Sequence, residues 1–88
     1  MSYDERMLRL KELLDQQHTW PGVYVFKFIV PGQKTSELKK IVAMEETFAR
    51  PSASGKYSSL TFEKTCQDSD EVIEIYQKVS KIKGVVTL

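Results

Sequence analysis

The stretch that decides the fold runs from Val23 to Val30 and reads VYVFKFIV. Every residue in it except Lys27 is β-branched or aromatic, a composition typical of β-strands. Because successive side chains of a strand point to opposite faces, the sequence divides into two sets. One face carries Tyr24, Phe26, Phe28 and Val30, and the other carries Val23, Val25, Lys27 and Ile29. Since both faces are largely apolar, we expect this strand to lie in the centre of a sheet.

A helix is predicted on each side of this strand. Residues 4–17 place apolar side chains at helical spacing and end before Trp20-Pro21-Gly22, which predicts an amphipathic helix. After the strand, Pro31-Gly32 stops the extended chain, and Ser36 is a suitable N-cap for a second helix running to about residue 46, with Glu45 near its end.

The next segment has the pattern of a β-hairpin. Residues 47–51 predict a short strand, in which Pro51 suits the edge of a sheet. Residues 52–55 form a serine- and glycine-containing turn, and residues 56–66 alternate as a long strand. Leu60 and Phe62 lie on one face of that strand, and the other face carries Tyr57, Ser59, Thr61 and Glu63.

A third helix and a last strand complete the pattern. Asp68 and Ser69 are alternative N-caps, and the apolar residues at helical spacing are Val72, Ile75, Tyr76, Val79 and Ile82. Gly84 is expected to stop the helix, and residues 85–88 predict a strand. The order β-α-β-β-α-β predicts an α+β, ferredoxin-like sandwich: a four-stranded antiparallel sheet with two helices on one face. We divide the chain into an N-terminal helical extension, 1–19, and a domain, 20–88.

Composition fits a small globular domain and excludes several classes of protein. The 88 residues contain 41% hydrophobic and 28% charged residues, which argues against intrinsic disorder. A net charge of +1 makes nucleic-acid binding unlikely. No apolar run reaches the roughly 20 residues of a membrane span, and the N-terminus does not resemble a signal peptide. We therefore expect a cytoplasmic protein that does not associate with membranes.

The hairpin also carries a family resemblance. Residues 50–59, RPSASGKYSS, resemble the central motif of the YbeD-like family of small bacterial proteins of unknown function. Trp20-Pro21, residues 71–76 (EVIEIY) and the final VVTL are similar too, so the resemblance covers about residues 18–88. It implies a ferredoxin-like fold similar to ACT regulatory domains. It implies no established activity.

No residue pattern in the chain predicts a catalytic, cofactor or metal site. His18 is the only histidine and has no neighbour in sequence that would orient it as a base or ligand. Cys66 is the only cysteine, so it is expected to pack at a strand end rather than to react. Acylphosphatases share this fold but position water with an asparagine, and this sequence contains none. We therefore expect a protein that is not an enzyme, and we rank a small hydrolase as an unlikely alternative.

The face of the sheet away from the two helices is the candidate interaction surface. Its predicted residues are Val25, Lys27, Ile29, Arg50, Tyr57, Ser59, Thr61 and Glu63. Exposed apolar residues there predict a regulatory or protein-interaction module that forms a homodimer or binds a protein partner, with a small-molecule effector as a further option. Alternatively, the N-terminal helix folds across this face and covers it. Lys27 and Glu63 are either contacts for a partner or a cross-strand ion pair.

Single-stranded RNA binding is the rival hypothesis suggested by the fold. RNA-recognition motifs stack bases on aromatic side chains of the open sheet face. If the first strand had the reverse orientation, Tyr24, Phe26 and Phe28 would form such a platform. In the orientation that we predict, these rings lie under the helices, and Tyr57 is the aromatic residue that the third strand places on the open face.

Overall fold

A computed structural model of the chain describes residues 5–43 and 48–88. Its elements, in chain order, are α1 (Glu5–Gln17), β1 (Gly22–Pro31), α2 (Thr35–Val42), β2 (Phe48–Pro51), β3 (Tyr57–Cys66), α3 (Ser69–Val79) and β4 (Val86–Thr87). The strands form one sheet in the order β2-β3-β1-β4, and each neighbouring pair is antiparallel. This arrangement confirms the predicted ferredoxin-like βαββαβ sandwich with an additional N-terminal helix.

The hydrophobic core lies between the helices and one face of β1 and β3. Phe26 and Phe28 of β1 are fully buried there, as is Phe62 of β3. Tyr24, on the same face, is half-buried, and its hydroxyl lies 2.9 Å from that of Tyr76 on α3. The predicted placement of the aromatic side of β1 under the helices is therefore correct.

The N-terminal helix packs beside α3, on the helix side of the sheet. Leu14 of α1 is buried in the core. The Lys11 ammonium donates a hydrogen bond to Ser69 Oγ at 3.0 Å and pairs with the Asp70 carboxylate at 3.3 Å. The alternative in which this helix covers the opposite face of the sheet is thus wrong, because its buried residue Leu14 packs into the core on the helix side of the sheet. The division between residues 19 and 20 stays a prediction.

The second helix begins earlier than the sequence predicted. A 3₁₀ turn at Gly32–Lys34 leads directly into α2, so Ser36 lies inside the helix and is not its N-cap. Thr35 donates its side-chain hydroxyl to the Gly32 carbonyl at 2.9 Å. The helix ends at Val42, and its C-cap residue Ala43 has a left-handed φ of 54°. The predicted continuation to residue 46, with Glu45, and the start of the next strand at residue 47 lie outside the described residues.

The third helix is shorter than its apolar pattern predicted. It ends at Val79, and the Ile82 N–H donates to the Val79 carbonyl at 2.9 Å in a tighter turn. This turn keeps Ile82 buried even though it lies beyond the helix. The last strand is also shorter than expected, because the Val85 N–H donates to the Ile82 carbonyl and pairing with β1 is limited to Val86–Thr87.

The N-terminus of α3 is capped by Asp68, which settles the choice between Asp68 and Ser69. The Asp68 carboxylate accepts a hydrogen bond from the Glu71 N–H at 3.1 Å. The Glu71 carboxylate in turn accepts from the Gln67 N–H and from Lys64. The Gln67 hydrogen bond is the main reason why the pKa of Glu71 lies below its ordinary value.

Replacing Asp68 with alanine should lower the free energy of unfolding by about 1 kcal/mol, because the Glu71 N–H would lose its acceptor. Urea denaturation would measure the change. Ser36→Ala is the matched control, since Ser36 is an exposed residue within α2 and alanine is a better helix former. If Ser36→Ala destabilised the protein as much as Asp68→Ala, the assignment of the two helix starts would be wrong.

Candidate functional site

The face of the sheet away from the helices, here called the open face, is built by residues from all four strands. Cross-strand partners share a face, so the register assigns its residues directly. Two rows cross the whole sheet: Phe48, Thr61, Lys27 and Leu88 form one, and Arg50, Ser59, Ile29 and Val86 form the other. Leu88 joins its row because its N–H donates to the Lys27 carbonyl at 2.9 Å. The face is therefore one continuous surface.

Large apolar side chains are exposed across this open face. Their exposed fractions range from 45% to 65%, and the residues are Val23, Val25, Phe48, Tyr57, Val86 and Leu88. Outside this face, Leu8 and Leu13 of α1 are the exposed large apolar residues of the described part of the chain. Apolar exposure is thus concentrated on one side of the molecule, which is typical of association surfaces.

The structure brings all eight predicted surface residues together on this face. They are Val25, Lys27 and Ile29 of β1, Arg50 of β2, and Tyr57, Ser59, Thr61 and Glu63 of β3. Three further exposed residues of this face were not predicted as part of the surface: Phe48, Val86 and Leu88. The alternation of residues back from Arg50 would have placed Phe48 correctly. Val86 and Leu88 could be assigned only from their pairing with β1, because a two-residue strand is too short to show a pattern.

The predicted ion pair between Lys27 and Glu63 is not formed. The register places Lys27 opposite Thr61 and Glu63 opposite Val25, so the two charged residues are diagonal neighbours. Their side chains are both exposed. The face therefore carries one cation and one anion near its centre that are available to groups of a partner.

A groove of about 460 Å³ lies at the end of the open face next to the β2–β3 hairpin. Its lining residues are Ile29, Arg50, Pro51, Ser52, Ala53, Tyr57, Ser58 and Ser59. The hairpin is held by the Ser52 N–H, which donates to the Tyr57 carbonyl at 2.8 Å, and by Gly55, whose φ of 74° suits glycine. The groove is lined by a guanidinium, by hydroxyl groups and by apolar side chains.

The aromatic residues of β1 do not form a platform for nucleic acid bases. Phe26 and Phe28 are fully buried, and Tyr24 packs edge-on against Phe26 with ring centroids 4.9 Å apart. The reverse orientation of β1 is therefore wrong. Burial, together with the hydrogen bond to Tyr24, raises the pKa of the Tyr76 hydroxyl, as expected for a neutral phenol in the core.

His18 and Cys66 both lie away from the open face. The His18 ring packs against Trp20 and Tyr24, with centroid distances of 5.4 and 5.2 Å. Cys66 is fully buried, and burial raises the pKa of its thiol, which disfavours the reactive thiolate. Within residues 5–43 and 48–88, no group of three or more His, Cys, Asp or Glu residues could hold a metal ion. In the same ranges, no helix has the length and apolar character needed to cross a membrane.

A family model matches most of the chain. Residues 15–88 match the model of a family described as "Protein of unknown function (DUF493)". The chain belongs to the DUF493 family. This membership agrees with the resemblance of the hairpin to YbeD-like proteins, and the match extends through every strand of the DUF493 chain. No curated protein and no solved structure matches the chain.

Proposed function

We propose that this DUF493 protein is a non-enzymatic interaction module that binds a protein partner through its open face. The observation that supports this function is the set of six large apolar side chains exposed on that face. Exposed apolar area of this kind raises the solvation free energy of an isolated monomer. Covering it with a partner removes that cost, which favours binding.

The arrangement of polar groups also fits a protein partner. Apolar and charged side chains alternate on this face: Lys27 lies between Val25 and Ile29 on β1, and Glu63 and Arg50 lie on the neighbouring strands. Protein interfaces commonly combine apolar contacts with polar groups that fix orientation and select the partner. A surface with both signs of charge favours a protein over a polyanion as the partner.

We assign the module a regulatory role of the ACT-domain kind, in a reducing cytoplasm. The groove at the hairpin, where Arg50, Tyr57 and Ser59 line the wall together with Ile29, would hold the effector, a small molecule with an acidic group. Because the groove shares these residues with the open face, a bound effector would change the surface that the partner contacts. The free, buried Cys66 is compatible with such a compartment.

Single-stranded RNA is the second candidate for this face. The observation in its favour is that two aromatic side chains, Phe48 and Tyr57, are 57% and 48% exposed on the same side as Lys27 and Arg50. Stacking on exposed aromatics is a common way to bind single strands. The neutral composition and the burial of the β1 rings make this the weaker candidate.

A charge substitution on the open face tests the proposal. We expect Val86→Lys to weaken partner binding at least tenfold, equivalent to about 1.4 kcal/mol, because it places a charge among apolar contacts. Leu8→Lys on α1 is the matched control, since Leu8 is similarly exposed but lies on another surface. The measurement is quantitative co-purification of proteins and RNA from native cells with each variant.

Three results would distinguish the candidates. Proteins retained by the wild type and by Leu8→Lys but lost from Val86→Lys would support a protein-interaction module. RNA retained in a salt-dependent way, and lost on Tyr57→Ala, would favour the second candidate. A Val86→Lys variant that keeps every partner of the wild type would overturn the open face as the binding surface.

A further inference from the structure

The central strand β1 has one side that is only partly paired. On its first side, β1 pairs with β3 along its whole length, from Gly22 to Pro31. On its second side, pairing with β4 covers only Phe28 and Ile29, and the Leu88 N–H adds a bond to the Lys27 carbonyl. Among the described residues, no strand lies beside the remaining part of β1, from Gly22 to Phe26. This part, here called the free edge, therefore has backbone groups on its second side that pair with no described strand.

The backbone groups at the free edge can be assigned from the register. Backbone N–H and C=O groups of successive strand residues point to alternate sides. Because the Lys27 carbonyl faces β4, the N–H and C=O groups of Val25 and Val23 face the same side. Their side chains are 45% and 61% exposed. The free edge therefore presents two donors and two acceptors with which a further strand can pair.

The other edges of the sheet are less suited to pairing. On β2, the Ser52 N–H bonds to the Tyr57 carbonyl, so alternation directs Arg50 and Phe48 toward β3 and leaves Ala49 and Pro51 facing outward. Pro51 has no N–H, and proline at an outward position is a common way to block an edge. β4 is only two residues long. The free edge of β1 is thus the best strand-docking position in the described structure.

We propose that the free edge pairs with the same edge of a second copy of this chain, in antiparallel orientation about a two-fold axis at Tyr24. Val23 would lie opposite Val25 of the second copy, and Val25 opposite its Val23. Each of these two pairs exchanges two backbone hydrogen bonds, so all four free groups of each copy are satisfied by the same groups of the other. We choose a second copy over an unrelated peptide because pairing two identical free edges leaves neither of them unpaired, whereas an added peptide strand would expose a new edge of its own.

The side chains support the same pairing. Val23 and Val25 both lie on the open face, so the antiparallel arrangement brings β-branched residues directly opposite each other, a favourable cross-strand combination. The Thr19 carbonyl lies 2.6 Å from the position of a Cβ built on Gly22, so the chain turns just before β1. The pairing requires that this turn carry residues 19–21 of each copy away from Leu88 of the other.

Pairing of this kind would join two four-stranded sheets into one sheet of eight strands, and the two open faces would become continuous. This dimer deepens the proposed function, because it names a second copy as one partner of the module. Its biological role rests on that proposed function. Since only three residues of each copy take part, we expect a weak dimer with a dissociation constant on the order of 10 µM to 1 mM.

Amide hydrogen exchange of the wild-type protein, measured by NMR at several concentrations, tests the pairing directly. The amides of Tyr24 and Phe26 should be protected at all concentrations, because they face β3. Those of Val23 and Val25 should exchange rapidly in dilute solution and slow at least fivefold as the dimer forms. Protection that grows only at Ala49, or no change at Val23 and Val25 up to about 1 mM, would overturn the proposal.

Edge variants studied by sedimentation provide the second test. Val25→Pro removes one outward N–H and should weaken dimerisation at least tenfold, whereas Ala49→Pro makes the same change on the opposite edge and should leave it unchanged. Circular dichroism would show whether Val25→Pro perturbs the fold. Val25→Lys serves as a second variant in that case, because it keeps the N–H but places a charge between the paired strands, and it should also weaken the dimer. A dimer that survives both Val25 changes would overturn the pairing.

The two proposals fail separately. If the wild type stays monomeric while Val86→Lys still loses its protein partner, the free-edge dimer is wrong and the interaction module stands. If the dimer forms through Val23 and Val25 but no face variant affects any partner, the edge pairing stands and the proposed function of the open face is wrong.

Discussion

Replacing Phe28 with alanine should lower the free energy of unfolding by about 3–5 kcal/mol, the largest effect that we expect from a single substitution. The Phe28 side chain is fully buried, and its ring lies 6.2 Å from each of the rings of Phe26, Phe62 and Tyr76. Alanine would leave a cavity at the point where β1, β3 and α3 meet. Since small domains are stable by only about 5–15 kcal/mol, much of the stability would be lost.

Phe48→Ala is the matched control for this prediction, because it makes the same chemical change on the other side of the sheet. Phe48 is 57% exposed, so its truncation should change the free energy of unfolding by no more than about 0.5 kcal/mol. Urea denaturation of the three proteins would measure both effects. Equal losses for Phe28 and Phe48 would show that the open face is not open in solution.

Leu14→Ala should lower the free energy of unfolding by about 2–5 kcal/mol, the second large effect. Leu14 is the buried residue of α1, and it belongs to the same core cluster as the residues of β1 and α3. The loss would show that the N-terminal helix contributes to the stability of the sheet domain. Thermal or urea unfolding followed by circular dichroism would measure it.

The neighbouring residue offers the control for this second prediction. Leu13 is 51% exposed, so Leu13→Ala should be close to neutral. A small effect of Leu14→Ala would instead favour the predicted division at residue 19, with α1 as an independent extension. The family match begins at residue 15 and so includes only the last residues of this helix.

The open face and the free edge meet at Val23 and Val25, which belong to both. A partner on the face and a second copy at the edge would therefore influence each other through the same two side chains. If both proposals hold, this shared position would couple the oligomeric state to binding, because a change at one contact would alter the surface presented at the other. The groove beside Arg50 lies at the other end of the face and leaves the edge accessible.

The alternation within residues 23–30 was enough to predict which side of β1 is buried, because a strand has only two faces and the three bulky rings Tyr24, Phe26 and Phe28 lie on one of them. The order of elements, the sheet topology and the eight surface residues followed from similar local patterns. The start of α2 did not, since the 3₁₀ turn at Gly32–Lys34 made Ser36 part of the helix, which no local capping rule indicates.

What the amino-acid order determined by itself was therefore the set of strands and helices, and which face of β1 and β3 is apolar, since these depend on neighbours in sequence. The tertiary structure decided the rest. Packing of Leu14 beside α3 kept the N-terminal helix away from the open face. The short pairing of β4 exposed Val86 and left Val23 and Val25 with a free edge. Such features depend on contacts between residues far apart in the chain. The periodicity of a short segment does not predict the free energies of those contacts.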